Sequence, residues 1–194
     1  MCFSAQFWND RYESQQTGWD LKSPSTPLKE YIDQIENKNL KILIPGCGNA
    51  YEAEYLIEKG FTNITLIDIS EVLVHSLQEK FQSTSEIHLV LGDFFDLKGT
   101  YDLVLEQTFF CALNPELRPN YAKKMQELLA DNGSLVGVMF NRDFGNPYPP
   151  FGGSKEEYQE LFKDYLKIVK MEDCYNSISP RAGSELFIHL KSKL

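Results

Sequence analysis

Several things are scarce in this chain of 194 residues. It has three histidines, His75, His88 and His189, far apart, and four cysteines, Cys2, Cys47, Cys111 and Cys174, none near another. A structural zinc site needs ligand pairs at short spacing, and a disulfide framework needs dense cysteines. Neither is present, so no metal is expected and a reduced, cytoplasmic setting fits. The purely apolar runs fall far short of the roughly 20 residues that span a bilayer. The first ten residues hold no basic stretch and no long apolar run, which argues against a secretory signal. Positive charge is also short: 19 Lys and Arg stand against 28 Asp and Glu, a net charge of −9, with no run of even four basic residues. A nucleic-acid binder needs a basic footprint to release counterions. The expected partner is therefore a small molecule, not nucleic acid or a membrane.

What is present is an ordinary globular composition, 42% hydrophobic and 24% charged, which excludes disordered and fibrous classes. Short aliphatic runs at Leu40–Ile44, Ile64–Ile67, Ile87–Leu91, Tyr101–Leu105 and Ser134–Phe140 read as strands. Helical segments alternate with them: Ala50–Lys59, Glu71–Phe81 with Ser70 as its cap, and Pro115–Ala130. This alternation predicts an α/β fold with a parallel sheet. After it, Asn141–Gly153 holds three prolines and three glycines and reads as a loop. A helix at Glu156–Lys163 leads to two strand-like runs, Leu166–Met171 and Glu185–Leu190, with no helix-length segment between them. That pair predicts an antiparallel hairpin. Residues 1–39 contain both tryptophans and read as a cap, 40–140 as the cofactor-binding core, and 141–194 as a substrate loop plus hairpin, all in one domain. No coiled coil or hydrophobic extension is visible, which points to a monomer.

Three features sit at the carboxyl ends of successive strands, where ligands bind in open α/β sheets. Pro45-Gly46-Cys47-Gly48 joins the first strand to the first helix and lets the backbone approach a ligand. Asp68 ends the second strand, 22 residues after Gly46, where an acid accepts from the ribose hydroxyls of an adenosine ligand. Asp93 and Phe94 follow the third strand, placed to meet an adenine amino group and flank its ring. Phe95 beside them is the better core candidate. A dinucleotide fingerprint needs a third glycine where this chain has Tyr51. With the closing hairpin, this favours S-adenosylmethionine over NAD.

The segments Trp8-Asn9-Asp10-Arg11-Tyr12 and Gly18-Trp19-Asp20, the Pro-Gly-Cys-Gly turn, Leu66 to Ser70, the block from Phe109 to Pro119, Pro149-Pro150-Phe151 and Pro180-Arg181 together resemble the thiopurine S-methyltransferase superfamily of class I S-adenosylmethionine-dependent methyltransferases. Within it, the plant-type halide and thiocyanate (thiol) methyltransferases look closest. The resemblance implies a Rossmann-like seven-stranded sheet, mostly parallel, with an antiparallel C-terminal hairpin and an N-terminal cap. It implies that Trp8, Tyr12 and Trp19 close over the cofactor, that Gly46 touches its methionine part, that Asp68 holds the ribose and Asp93 and Phe94 the adenine, and that Gln107 reaches the cofactor's amino-acid end or the substrate. The chain departs from the pattern at Tyr12, where relatives often carry Trp. At Gln107, thiopurine enzymes carry Arg and halide enzymes Tyr, which bears on substrate choice.

Such a reaction is an in-line displacement, and a soft anionic acceptor needs positioning and desolvation rather than a base. Glu106 is the carboxylate beside the expected reaction centre, as a base for a neutral thiol or a partner for the cofactor's ammonium. Arg118, Arg142 and Arg181 are the candidates for receiving an anion, with Arg118 read as a structural ion pair. Cys47 and Cys111 have no base nearby in sequence, so a covalent route is not expected. Two alternatives stay open at this point: a non-catalytic S-adenosylmethionine-binding protein and an NAD-dependent oxidoreductase.

Overall fold

The computed structural model describes residues 3–193. Seven strands form one sheet: β1 (Ile42–Pro45), β2 (Ile64–Asp68), β3 (Ile87–Leu91), β4 (Tyr101–Gln107), β5 (Leu129–Phe140), β6 (Lys167–Asp173) and β7 (Glu185–Lys191). Their order is β3-β2-β1-β4-β5-β7-β6. The first five pair in parallel. β7 inserts antiparallel between β5 and β6, which makes the hairpin expected from the last two apolar runs. The helices are α1 (Ala5–Glu13), α2 (Thr26–Asp33), α3 (Tyr51–Glu58), α4 (Glu71–Lys80), α5 (Arg118–Leu128) and α6 (Lys155–Phe162).

The central strands are apolar on both faces because helices cover both. All four residues of β1 are buried. Ile42, Ile44, Leu103 and Leu105 face a core that includes Leu28 and Ile32 of α2, Ala53 and Leu56 of α3, and Leu73 and Leu77 of α4. Leu43 and Val104 face the other core, built with Tyr121 and Met125 of α5 and Tyr158 and Phe162 of α6. Strand residues alternate faces, so parity along β4 decides which core each side chain enters. α4 starts where Ser70 accepts from Leu73 N–H at 3.2 Å, as its position before the apolar period suggests.

Among the boundaries that differ from the sequence reading, two are informative. α5 ends at Leu128 rather than Ala130, because Leu129 already pairs with Tyr101 of β4. The next paired residue is Ser134 opposite Leu103, so residues 130–133 bulge out of the ladder. Asn132 at φ 62° turns that bulge. A Cβ on Gly133 would sit 2.8 Å from Ala130 O and 2.9 Å from Tyr101 O. The Asn-Gly pair that reads as a helix stop is thus the tip of a bulge. β4 also runs two residues further than expected, to Gln107. Among the described residues, no helix is long and apolar enough to cross a membrane.

Candidate active site

A cavity of about 990 Å³ opens at the carboxyl ends of β1 to β4. The sheet brings together there most of the residues expected from sequence: Trp8, Tyr12, Trp19, Gly46, Asp68, Asp93, Phe94, Gln107, Arg142 and Arg181. This is the switch point of the sheet, where β1 has β2 on one side and β4 on the other.

The glycine turn after β1 is tightly constrained. Gly46 and Gly48 have φ of 55° and 52°. A Cβ at Gly46 would collide with the Phe109 ring, so glycine is required by conformation and by space. Cys47 between them is buried, which raises its pKa well above the usual thiol range. Burial pushes Cys111 up to about 12. Neither is an available thiolate nucleophile.

Asp68 accepts from Ser70 N–H at 2.9 Å. Burial nevertheless raises its carboxyl to about 6, against the lowering effect of backbone donors at Ser70, Gly48 and Ile69. Asp93 is exposed and accepts from Phe95 N–H at 2.9 Å, starting a short 3-10 turn, Phe94–Asp96. The two phenylalanines there both line the cavity, and Phe94, not Phe95, is the more deeply packed. Phe94 is 4% exposed and packs against Phe109 and Tyr121, while Phe95 is half-buried. The tight turn after Asp93 rotates the first ring inward.

The N-terminal segment covers the cavity and is tied down at four points. Asn9 Oδ1 accepts from the Ser70 hydroxyl at 2.7 Å. Asp20 accepts from Asn49 Nδ2 at 2.8 Å and pairs with Lys22 at 2.9 Å. Ser25 N–H donates to Glu52 at 2.9 Å, and Arg181 donates to Trp19 O at 3.0 Å. Trp19 meets Trp8 and Tyr12 edge-on, with ring centroids 5.6 and 5.8 Å apart. Burial, with Asp68 nearby, holds the Tyr12 hydroxyl protonated far above the usual phenol range.

Glu106 is the main correction. It does not line the cavity but is fully buried on the α5 side of β4. It accepts from the Tyr121 hydroxyl at 2.5 Å and from Phe110 N–H at 3.1 Å. β4 continues past Leu105, so Glu106 is a strand residue with the parity of Val104. Its role is to anchor the chain after β4, not to take a proton or hold the cofactor's ammonium.

The arginines separate clearly. Arg118 is buried, pairs with Glu157 at 2.7 Å and donates to Gly152 O at 2.7 Å, the structural pair expected of it. Arg181 is neutralised by Glu185 at 3.1 Å and spans to the cap. Arg142 lines the cavity over the Phe144 ring at 4.8 Å, and among the described residues no ion pair involves it.

Sequence reasoning missed the cavity wall beyond β4: Phe109, Leu113, Phe140 and Phe144. The only available signal was the adjacent pair Phe109-Phe110. Phe110 is fully buried, which leaves Phe109 to face the opening.

The donor set fits S-adenosylmethionine. Asp68 is a buried carboxylate that its backbone donors leave incompletely compensated, which suits ribose hydroxyls. Nε2 of Gln107, in a side chain lining the cavity, is buried without a partner and leaves a donor over for a second ligand. Trp8, Tyr12 and Trp19 of the cap line the same cavity, and aromatic faces attract a sulfonium cation by typically about 0.5–2 kcal/mol each.

Comparison with known proteins agrees. The family model for thiopurine S-methyltransferase matches residues 3–187. A probable thiol methyltransferase 2 of Arabidopsis thaliana is 28% identical over 184 residues, covering 92% of this chain and 81% of that protein. The thiopurine S-methyltransferase of Acinetobacter baylyi is 24% identical over 213 residues, covering 97% and 95%. Among solved structures, the 1,6-didemethyltoxoflavin-N1-methyltransferase of Burkholderia thailandensis, with its substrate and S-adenosylhomocysteine bound, superposes with a TM-score of 0.78 at 16% identity. It covers 97% of this chain and 86% of its own, a likeness of fold. The oxidoreductase reading is set aside by the family match. The chain belongs to the thiopurine S-methyltransferase family and is an S-adenosylmethionine-dependent methyltransferase of small molecules.

Proposed function

We propose that the acceptor is a small, soft nucleophile that arrives already ionised: thiocyanate, bisulfide, the thiolate of a small thiol or thiopurine, or a halide. The observation that carries this is the chemistry of the cavity wall. Among the described residues no histidine and no lysine lines it. Its carboxylates each accept a hydrogen bond from the protein: Asp20 from Asn49, with Lys22 paired to it, Glu52 from Ser25 N–H, Asp68 from Ser70 N–H, Asp93 from Phe95 N–H, and Glu116 from Asn114; in this reading the cofactor takes what Asp68 and Asp93 leave open. A site without a free base suits an acceptor that has no proton to lose. The plant and bacterial relatives, named for thiols and thiopurines, support the same class.

S-adenosylmethionine supplies an electrophilic methyl group on a positively charged sulfur. The acceptor's lone pair forms the new bond to that carbon, and the electron pair of the old bond stays on the departing sulfur. With a singly charged acceptor both products carry no net charge from the exchange, so no proton must be moved. The protein's part is to bind, align and exclude water. In this reading Asp68 would hold the ribose hydroxyls, and Asp93 would accept from the adenine amino group. Phe94 would support that end from the core, and Gly46 would let the methionine part approach the backbone. Trp8, Tyr12 and Trp19 would cover the sulfonium. Arg142 would meet the incoming anion. Residues 1–39 would serve as the cap, 40–140 as the cofactor core, and 141–194 as the acceptor loop and hairpin. A reduced cytoplasmic monomer agrees with the free buried cysteines Cys47, Cys111 and Cys174.

Calorimetry with S-adenosylmethionine, S-adenosylhomocysteine and NAD tests the cofactor half of this reading. Release of S-adenosylhomocysteine over a panel of thiols, thiopurines, thiocyanate, bisulfide and iodide tests the acceptor half. Binding of the first two ligands and turnover on sulfur anions is expected. Cofactor binding with no turnover across the panel would remove the acceptor class.

A further inference from the structure

Thr108 follows Gln107 at the carboxyl end of β4 and lies in the left-handed region, at φ 59°. A β-branched residue is a genuine outlier there. Such strain persists where the surroundings over-determine it, and it concentrates at functional sites. Here the backbone is held on both sides. Thr108 N–H donates to Val138 O of β5 at 3.2 Å, and its carbonyl accepts from Cys111 N–H at 3.1 Å. Glycine would adopt this conformation without strain, so the threonine side chain needs its own reason.

That reason is Gln107. The Thr108 hydroxyl donates to Oε1 of Gln107 at 3.3 Å. The bond fixes the amide with its oxygen toward Thr108 and its nitrogen elsewhere. Among the described residues two buried side-chain polar atoms lack a partner, Nε2 of Gln107 and Nε of Arg118, and only Gln107 lines the cavity. An unpaired buried N–H is unfavourable, and a cavity ligand is the group that can satisfy it.

The sheet order indicates which ligand. On the proposed reading, adenosine follows the ends of β2 and β3, and the methionine end lies over β1. β4 comes next on the far side, and Phe109, Leu113 and Arg142 line the same cavity. We propose that Thr108 is a positioning residue whose hydroxyl locks the Gln107 amide, so that the nucleophile meets a hydrogen-bond donor and the site selects acceptors that carry a negative charge. An N–H donor strengthens with the charge of its partner, whereas a neutral thiol is a weak acceptor.

The inference rests on the acceptor class proposed above, and the test separates the two. Thiocyanate binding to the protein saturated with S-adenosylhomocysteine is measured by calorimetry, beside kcat and KM for its methylation. Thr108→Gly keeps the backbone conformation and removes the hydroxyl; Thr108→Ser restores the hydroxyl. Thr108→Gly is expected to bind thiocyanate about tenfold more weakly, with KM raised by a like factor and kcat little changed, and Thr108→Ser to return within about twofold of wild type. S-adenosylhomocysteine affinity stays constant across the set. Wild-type thiocyanate affinity in Thr108→Gly overturns the proposal. So does an equal loss of S-adenosylhomocysteine affinity, because Gln107 would then serve the cofactor. If the wild-type protein itself binds none of the anions, the acceptor class fails first and this inference falls with it.

Discussion

Among the carboxylates of the cavity, Asp68 carries the largest shift. Its burial raises the carboxyl to about 6, although several backbone donors favour the charged form. Ribose hydroxyls would add donors to the ionised carboxylate, so cofactor binding and ionisation are linked. The sign follows directly. Above about pH 6 the carboxylate is charged and holds the ribose; below it the proton must first leave, and affinity falls. We expect S-adenosylhomocysteine to bind about tenfold more weakly at pH 5 than at pH 7.5. Asp68→Asn should flatten that dependence and cost about 1–3 kcal/mol at pH 7.5. Calorimetry at the two pH values checks both, and an unchanged affinity in the variant takes Asp68 out of the site.

β4 shows how far an element can be read from sequence. The alternation of strand and helix, the glycine turn, the cap at Ser70 and the closing hairpin were all legible, because each is written in local pattern. The fate of Glu106 was not, because it depends on whether β4 ends at Leu105 or at Gln107, and only inside the strand does the alternation fix which face Glu106 takes. The deeper burial of Phe94 than of Phe95 was unreadable for a similar reason: a one-turn 3-10 segment leaves no periodic signal. The partners of Arg118 and Arg181, Glu157 and Glu185, are set by tertiary packing and cannot be chosen from spacing. The structure makes Glu106 testable. Burial pushes it up to about 7 despite its hydrogen bonds to Tyr121 and Phe110. The folded pKa lies above the unfolded one, so its contribution to stability is full below about pH 4.5 and is lost as pH rises through about 7, by up to about 3 kcal/mol. In urea unfolding at pH 5 and pH 8, Glu106→Gln should show a smaller drop than wild type. Glu106→Ala should lose about 2–4 kcal/mol at both, because two buried donors are left unpaired. Equal pH dependence in wild type and Glu106→Gln would show that this carboxyl does not titrate in that window.

At the scale of the whole molecule, the net charge of −9 and the proposed anionic acceptor look opposed. The structure resolves this locally. Two of the three candidate arginines are spent on Glu157 and Glu185, and Arg142 stays with the cavity, over the Phe144 ring, in a lining that also includes Gln107. Those elements are far apart in sequence, and the sheet assembles them by placing β4 and β5 beside β1 and drawing the loop after β5 over the opening. The central claim is that this cavity supplies no base and takes an acceptor that is already an anion. The most direct measurement is the pH dependence of kcat/KM between pH 6.5 and 9.5, at saturating S-adenosylmethionine, for thiocyanate and for a simple alkyl thiol. The account predicts a flat profile for thiocyanate, which is ionised throughout, and for the thiol a rise of about tenfold per pH unit that levels off at the thiol's own pKa. A thiol profile that levels off well below that pKa would reveal a protein base and contradict the account.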